Sequence, residues 1–563
     1  MVKNLLRQKL EAKFSGLDFD ILVPPDDKMG DYSTNIAFVL AKKESKDPIK
    51  AGEALASELS KDKDLAGVFE KIEAVRPGFV NFFLKKEFIR KQLAEIYKNL
   101  DSFGKSDIGK GKTVIVEYGG TNIAKPMHVG HLRSIIIGDG LANVYEALGY
   151  KVIRWNYIGD WGTQFGNLIA AYKLWGDEGE LKKEPIQTML GLYVRFHEEL
   201  KNDPGLESRG REEFKKLEEG DTDNRKLWEM FRKYSLEEFD TMFRQLDIKF
   251  DITKGESGYE DVISETVELI NQKGVLKKSE GADIVELENL PPALIRKSDG
   301  TSLYITRDVA SLKERIEKYN PSKILYVVAN QQALHFEQLF AIWRMLGFAG
   351  RELVHIKFGM VLGEDGKKLA TREGKVIPLQ ELIDKIVALA LNVVQQKNPA
   401  LSEEQTDKIA KAVGIGALKY SDLKQHPRTD MVFDWEAMLD ISGNSGPYLQ
   451  YTYARLASIL ERSENRKKGD VSLLTEPEEE KLMKRLLEFP DAVEKCTEQN
   501  VLNGLALYLY ELSNNTSRFY ESIRVLDDEN IGRRNARLIL VETVASVLER
   551  GFGILGIKTL KRI

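Results

Sequence analysis

The spacing of apolar and polar positions changes character several times along the chain. Over residues 1–110, amphipathic helical patterns alternate with short apolar strands such as Phe79-Val-Asn-Phe-Phe-Leu84. Within that block Met29-Gly-Asp-Tyr-Ser-Thr-Asn-Ile-Ala37 reads as a helix start after a tight turn, capped by Asp31 or Ser33, and residues 107–112 read as a linker. From Thr113 the rhythm becomes strand–helix–strand. Thr113-Val-Ile-Val-Glu117 is a short run rich in β-branched residues, suited to a buried strand. Ile137, Leu141, Val144 and Leu148 then recur at helical spacing and stop at Gly149. Lys151-Val-Ile-Arg-Trp155 is the next strand, followed by Gly159-Asp-Trp-Gly-Thr-Gln-Phe-Gly166 and a helix to about Trp175. Residues 177–300 are charged, largely helical in pattern, and break the alternation. They include an amphipathic helix at 227–239 whose aromatics suit packing. The alternation resumes at Leu303-Tyr-Ile-Thr306, with a helix after Asp308, a strand at 323–328, a helix at 331–346 and a strand at 354–358, a second βαβαβ unit. Beyond about Lys385 the pattern is helical throughout. The helix at 446–460 opens with Pro447 at its first position and carries Leu449, Tyr453, Leu456 and Leu460 as its stripe.

These patterns predict an α/β chain built on a Rossmann-type parallel sheet over 111–385, with an insertion at about 177–300. An α+β domain at 1–110 precedes it, and a helical connecting region at 386–445 and an all-α bundle at 446–563 follow. The right-handed crossover rule places each helix N-terminus at the strands' carboxyl ends, the edge where open α/β sheets take ligands. At 563 residues the chain has room for such domains, and 42% hydrophobic residues suffice for their cores. A single cysteine, Cys496, excludes an intrachain disulfide and a cysteine zinc cluster, and points to a reducing, cytoplasmic home. The N-terminal run lacks the apolar core of a signal peptide, and no window approaches a membrane span. A net charge of −5 argues against a general DNA coater but leaves room for a local RNA-binding patch.

Candidate chemistry concentrates in residues 117–133, Glu-Tyr-Gly-Gly-Thr-Asn-Ile-Ala-Lys-Pro-Met-His-Val-Gly-His-Leu-Arg, which link the first strand of the sheet to its helix. His128 and His131 share one face of the helix's first turn. The unsatisfied N–H groups and the positive dipole end there suit a polyanion, phosphate above all. Gly130 would let a flat ring such as adenine lie close to the backbone. Taken alone, His-x-x-His is more often an ordinary βα turn with two partly exposed histidines. The spelling His-Val-Gly-His after Ala-Lys-Pro, however, closely resembles the "HIGH" signature of class I aminoacyl-tRNA synthetases. The longer run at 122–134 resembles the version carried by arginyl-tRNA synthetases, and further motifs follow in that family's order over residues 28–526. Gly363-Glu-Asp-Gly-Lys-Lys-Leu-Ala-Thr-Arg-Glu-Gly-Lys-Val376 reads on its own as a charged hairpin, but its position resembles the second class I signature, KMSKS. Lys368-Leu-Ala-Thr-Arg372 departs from that pattern at Ala370 and lacks the second lysine. Arginyl enzymes commonly depart here, with a lysine before the first signature thought to compensate; Lys125 holds that place.

The resemblance implies ATP-dependent charging of tRNA with arginine, through an arginyl-adenylate. His128 and His131 would donate hydrogen bonds to phosphate oxygens, with positive charge from Lys125, Lys368 and Arg372. ATP would lie against Asn122, Ala124, Pro126, Met127, Val129, Gly130 and Leu132, with Mg2+ held by phosphate and water and no dedicated metal motif in the chain. Selecting arginine requires a buried anion facing a planar fork. Tyr304 and Asp308, one helical turn apart, resemble the family's arginine-pocket motif, although Asp308 alone reads equally as a helix cap. Glu117, Asn122 and Gln332 would hold the ammonium and carboxylate, Gly120 would leave room, and Glu256 is a second guanidinium candidate. His335 is expected to pack or support; His197, His355 and His426 are expected to be structural or at the surface.

The N-terminal block resembles the family's extension that contacts the tRNA elbow, and 446–563 its anticodon-binding bundle, with Arg455, Arg533 and Arg537 as RNA contacts. Basic and acidic side chains are equal in number there, so Arg533, Arg534 and Arg537 and the tail Lys558, Lys561 and Arg562 are as readily solvated faces. The implied partners are L-arginine, ATP and tRNA(Arg), with no membrane and a monomeric state; activation in this family commonly also requires the tRNA. Two alternatives stay open. Another class I nucleotidyl transferase, or a synthetase of different specificity, is opposed by the Tyr304–Asp308 motif and the helical C-terminal domain. A non-catalytic tRNA-binding paralogue is opposed by Lys125, His128 and His131.

Overall fold

The computed structural model describes residues 2–24, 26–298, 300–348, 350–367, 369, 377–463 and 469–563. At its centre is a parallel sheet of β1 (Thr113–Glu117), β2 (Lys151–Ile158), β3 (Ile252–Gly255), β4 (Lys323–Ala329) and β5 (Glu352–Phe358). The order across the sheet is β5-β4-β1-β2-β3, each neighbouring pair parallel. The chain leaves β1 in one direction and returns to β4 on its other side. The carboxyl ends of β1 and β4 therefore form a topological switch point, where such sheets open a crevice. In register, Glu117 lies opposite Trp155 on β2 and Tyr326 on β4. Val114, Ile115 and Val116 are fully buried, as expected for a strand covered on both faces.

Helix α1 (Val129–Ala147) follows β1. The expected stripe of Ile137, Leu141, Val144 and Leu148 is buried, but so are Arg133, Ile135, Ile136, Asp139 and Ala142. The C-terminal helices cover the side that the sheet leaves open. Arg133 joins the two layers: Nε and Nη2 reach Asp422 Oδ1 at 2.9 Å, and Nη1 donates to the Thr429 carbonyl at 2.8 Å.

The insertion departs from expectation. Its helices run as read as far as α2 (Thr222–Gln245), where Phe231, Phe239 and Phe243 are buried packing residues. Residues 252–296 are not mainly helical. β3 is an edge strand of the main sheet, and Leu276–Ser279, Ala282–Leu287 and Leu290–Arg296 form a separate antiparallel sheet. The pattern hides them because β3 has four residues, one a lysine, and the second sheet carries charges on its open side. The second half of the main sheet is also shorter than a βαβαβ unit. Helix α3 (Tyr304–Tyr319) begins at Tyr304 rather than after Asp308, so only β4, α4 (Ala333–Met345) and β5 follow the expected rhythm.

The N-terminal domain wraps helices around a four-stranded antiparallel sheet. Neither Asp31 nor Ser33 caps its helix Ile36–Glu44, which follows a strand Tyr32–Thr34. Asp31 accepts from the Leu84 N–H at 2.7 Å and pairs with Lys484 at 2.8 Å, while Ser33 donates to Asn81 at 2.7 Å. The domain docks on the C-terminal bundle, where Arg90 Nε donates to the Leu474 carbonyl at 2.8 Å and Tyr97 to Glu542 at 3.1 Å. Among the described residues beyond Lys385 the elements are helices joined by loops, with one short strand, Met431–Val432, which pairs in parallel with Val361–Leu362. In the helix Gly446–Glu461, Gly446 takes the first position ahead of Pro447, and Ser445 Oγ caps by accepting from the Tyr448 N–H at 3.2 Å.

Candidate active site

The loop from β1 to α1 is held by glycines and by its neighbours. Gly119 and Gly120 adopt φ of +90° and +57°, and Ala124 takes +63°, a left-handed conformation that costs an alanine energy. The Ala124 N–H donates to Ser235 Oγ on α2 at 2.8 Å, which offsets that strain. Residues 121–123 pair with Gly159 at the end of β2 through Gly159 N–H to Thr121 and Ile123 N–H to Gly159, at 3.0 and 3.1 Å. A side chain on Gly159 would run into the Asn122 side-chain oxygen, so glycine here leaves Asn122 its present place.

At the mouth of α1 the two histidines cap the helix reciprocally. His128 Nδ1 accepts from the Gly130 N–H and His131 Nδ1 from the His128 N–H, each at 3.1 Å. Their rings stack with centroids 3.8 Å apart. Burial and the neighbouring His128 push the His131 pKa down to about 3, so this imidazole is neutral. An acceptor Nδ1 in a neutral ring leaves the proton on Nε2. Each ring thus offers an Nε2–H, the donor a phosphate oxygen needs. Residues 377–379 strap the same turn, with Val129 N–H donating to Ile377 at 3.1 Å and Leu379 N–H to Met127 at 2.9 Å. That strap follows directly on the segment 363–376, within which the Leu369 N–H donates to the Val361 carbonyl at 3.0 Å. Lys368 and Arg372 lie outside the described residues. Lys125 Nζ sits 4.4 Å above the Tyr193 ring.

The amino-acid candidates gather at the switch point. Glu117 is buried, and its Oε2 lies 2.5 Å from Arg315 Nη2. Burial pushes its carboxyl above the ordinary range, with Arg315 opposing and nearby Asp308 adding to the rise. Asp308 Oδ2 meets His335 Nε2 at 2.5 Å. Burial alone would lower the His335 pKa, but the bond to Asp308 and its charge more than offset this, and the imidazole is held above its usual value. Glu256 is nine-tenths buried with no hydrogen-bond partner for Oε2 among the described residues, and burial pushes it up to about 8 despite Arg307. Its field includes Asp308, so three carboxyl groups converge here. Tyr304, Asn122, Gly120 and Gln332 are exposed at the rim.

Several residues that position the site carry no motif. Asp160 is fully buried and binds Arg232 Nε of α2 and Ser257 Oγ at 2.9 Å, which fixes the segment holding Glu256. Its glycine-flanked place after a strand was a usable signal. Arg315 stands two helical turns after Asp308 on the same face of α3, also visible as spacing. Ser235 and Arg133 gave no sequence signal. His355 Nε2–H donates to the Val328 carbonyl at 2.9 Å and His197 packs on Tyr193, both structural.

The expected RNA contacts fare differently. Arg537 is buried and bonds Glu479 and Asp528 at 2.7 and 2.6 Å, and Arg533 bonds Asp528 at 2.6 Å. The expectation for Arg537 is corrected: its buried guanidinium ties the helix Ile531–Ile554 to the helix Pro477–Leu487 through Glu479, whereas Arg533 stays partly exposed and pairs with Asp528 just before its own helix. Arg455 lies half-buried against the Tyr451 and Tyr520 rings, 4.4 and 5.3 Å from their centroids.

Comparison with known proteins agrees with this geometry. Residues 92–435 match the model for tRNA synthetases class I (R), catalytic domain; 449–563 match the DALR anticodon binding domain; and 1–84 match the arginyl tRNA synthetase N terminal domain. The chain is 42% identical to the arginine--tRNA ligase of Ligilactobacillus salivarius, over 99% of this chain and 98% of that protein. It is 41% identical to that of Halothermothrix orenii, with the same shares covered. Among solved structures, arginyl-tRNA synthetase of Plasmodium falciparum superposes with a TM-score of 0.83 at 28% identity, over 100% of this chain and 98% of that one. The Thermus thermophilus enzyme, at 24% identity and a TM-score of 0.85 over the whole of both chains, shares the fold. The chain belongs to the arginyl-tRNA synthetase family of class I aminoacyl-tRNA synthetases.

Proposed function

We propose that this chain is an arginine–tRNA ligase that works in two steps. An oxygen of arginine's carboxylate attacks the α-phosphorus of ATP, the bond to the β-phosphate bridging oxygen breaks, and diphosphate leaves. A terminal ribose hydroxyl of tRNA(Arg) then attacks the adenylate's carbonyl carbon and AMP departs. The observation that carries this reading is the pairing of neutral, self-capped imidazoles at the mouth of α1 with three converging carboxyls at the same sheet edge.

In this reading His128 and His131 donate Nε2–H to phosphate oxygens as charge redistributes in the in-line transition state. Residues 122–132 line the nucleotide, and Lys125, Lys368 and Arg372 supply charge to the polyphosphate. Asp308 and Glu256, with Tyr304, take the guanidinium; Glu117, Asn122 and Gln332 take the α-ammonium and carboxylate. Mg2+ arrives with ATP, held by phosphate and water. The enzyme acts as a cytoplasmic monomer, and Arg455 stacks against the anticodon loop. The test is ATP–diphosphate exchange measured with tRNA(Arg) present. Exchange should depend on arginine. Exchange driven by lysine or glutamine, and not by arginine, overturns the reading. A mass near 63.9 kDa by light scattering supports the monomer.

A further inference from the structure

A buried cation lies beneath the amino-acid site, and the mechanism above gives it no task. Arg315 is 1% exposed. Its guanidinium carbon is 4.5 Å from the Trp155 ring centroid and 5.6 Å from those of Tyr157 and Tyr326. Trp155, Glu117 and Tyr326 are register partners on three adjacent strands, so they stand in one row on one face of the sheet. Arg315 lies against that row with Nη2 in a 2.5 Å ion contact with Glu117 Oε2, and neither Nε nor Nη2 makes a well-directed hydrogen bond among the described residues. An apolar side chain would fill this aromatic box without a desolvation cost, so stability alone does not account for a charge here.

We propose that Arg315 is a positioning residue of the amino-acid site, which holds Glu117 ionised and aimed along the carboxyl end of β1 to receive the substrate's α-ammonium. The proposal rests on the assignment of Glu117 to that ammonium. Burial works against a Glu117 anion, and among the described residues Arg315 is the cation paired with it. The other titratable groups that face Glu117 are Asp308 on α3, His335 on α4 and Tyr326 on β4, while Arg315 itself also faces Tyr259 and Tyr326.

The test compares the full-length R315M, R315K, E117Q and E117Q/R315M variants in arginine-dependent exchange with tRNA(Arg) present. R315M should raise the KM for arginine about a hundredfold, as expected for breaking a buried charge pair, and leave the KM for ATP nearly unchanged. The acid limb of kcat/KM for arginine should move to higher pH, because Glu117 loses the charge that keeps its proton off. R315K should restore most of the arginine KM. If E117Q leaves the arginine KM unchanged, the Glu117 assignment fails, and the proposal with it. If E117Q raises that KM while R315M keeps the wild-type value and pH profile, Glu117 stands and the role of Arg315 is overturned. Should R315M not fold, E117Q/R315M, which removes the charge imbalance, decides. A KM equal to that of E117Q alone supports action through Glu117, and a second, independent rise refutes it.

Discussion

The nucleotide end and the amino-acid end of this site are built on opposite plans. At the mouth of α1 the donors are already arranged. Two imidazoles cap the helix for each other, stack at 3.8 Å and are strapped by residues 377–379. At the switch point the anions are occupied. Glu117 is paired with Arg315, Asp308 with His335, and Glu256 holds its proton. The contrast follows from burial. Neutral donors can stand ready in a sheltered turn, whereas bare carboxylates cannot. On the proposed assignment ATP meets a finished surface, and arginine must exchange partners with groups already in place.

The largest way to break this contrast is to loosen the finished end from outside. Arg133→Met would leave Asp422 buried and unpaired and should cost about 3–5 kcal/mol of folding stability in denaturant titration. A loss below about 1 kcal/mol would mean that α1 is held by packing alone. Next come the imidazoles. His128→Ala and His131→Ala should each lower kcat by about 2–4 kcal/mol of transition-state stabilisation. The double variant should lose less than the sum, because each ring's capping bond depends on the same turn. Strict additivity in single-turnover adenylation would argue that the two act separately. At the other end, Asp308→Asn should raise the KM for arginine by about 2–3 kcal/mol and spare the KM for ATP. An unchanged arginine KM and unchanged discrimination against lysine would remove Asp308 from the pocket.

The two ends also differed in how far they could be read from sequence. The strand and the paired histidines of the nucleotide end are contiguous, so local spacing and motif revealed them together, whereas the left-handed backbone at Gly119 and Gly120 carried no sequence reading. The acids of the other end come from β1, α3 and the segment after β3, and their intramolecular partners lie far along the chain. Asp308 and His335 are 27 residues apart, and nothing local announces their bond. β3 escaped notice because an edge strand of four residues gives too little alternation. Arg537 was misjudged for a related reason: a run of arginines looks solvated until the acids folded against it, Glu479 and Asp528, are known.

The smallest effect bears most directly on the idea of exchanged partners. In the free enzyme His335 is held above its usual pKa by Asp308, and Glu256 is held protonated up to about 8 by burial. A group with a raised folded pKa, such as His335, adds stability below its unfolded value and loses it as pH rises through the folded one. When the substrate guanidinium takes Asp308, His335 loses its anion and gives up a proton. Glu256 gives up its own on facing the same cation. Both changes have one sign, so arginine should bind more tightly as pH rises from about 6 to about 8. Arginine's stabilisation of the protein in thermal melts should grow over the same interval. Glu256→Gln should flatten most of that dependence, and His335→Gln a smaller share, about 1 kcal/mol or less. An arginine affinity in the unsubstituted enzyme that does not change with pH would mean that the acids wait unpaired, and the two ends would then be built alike.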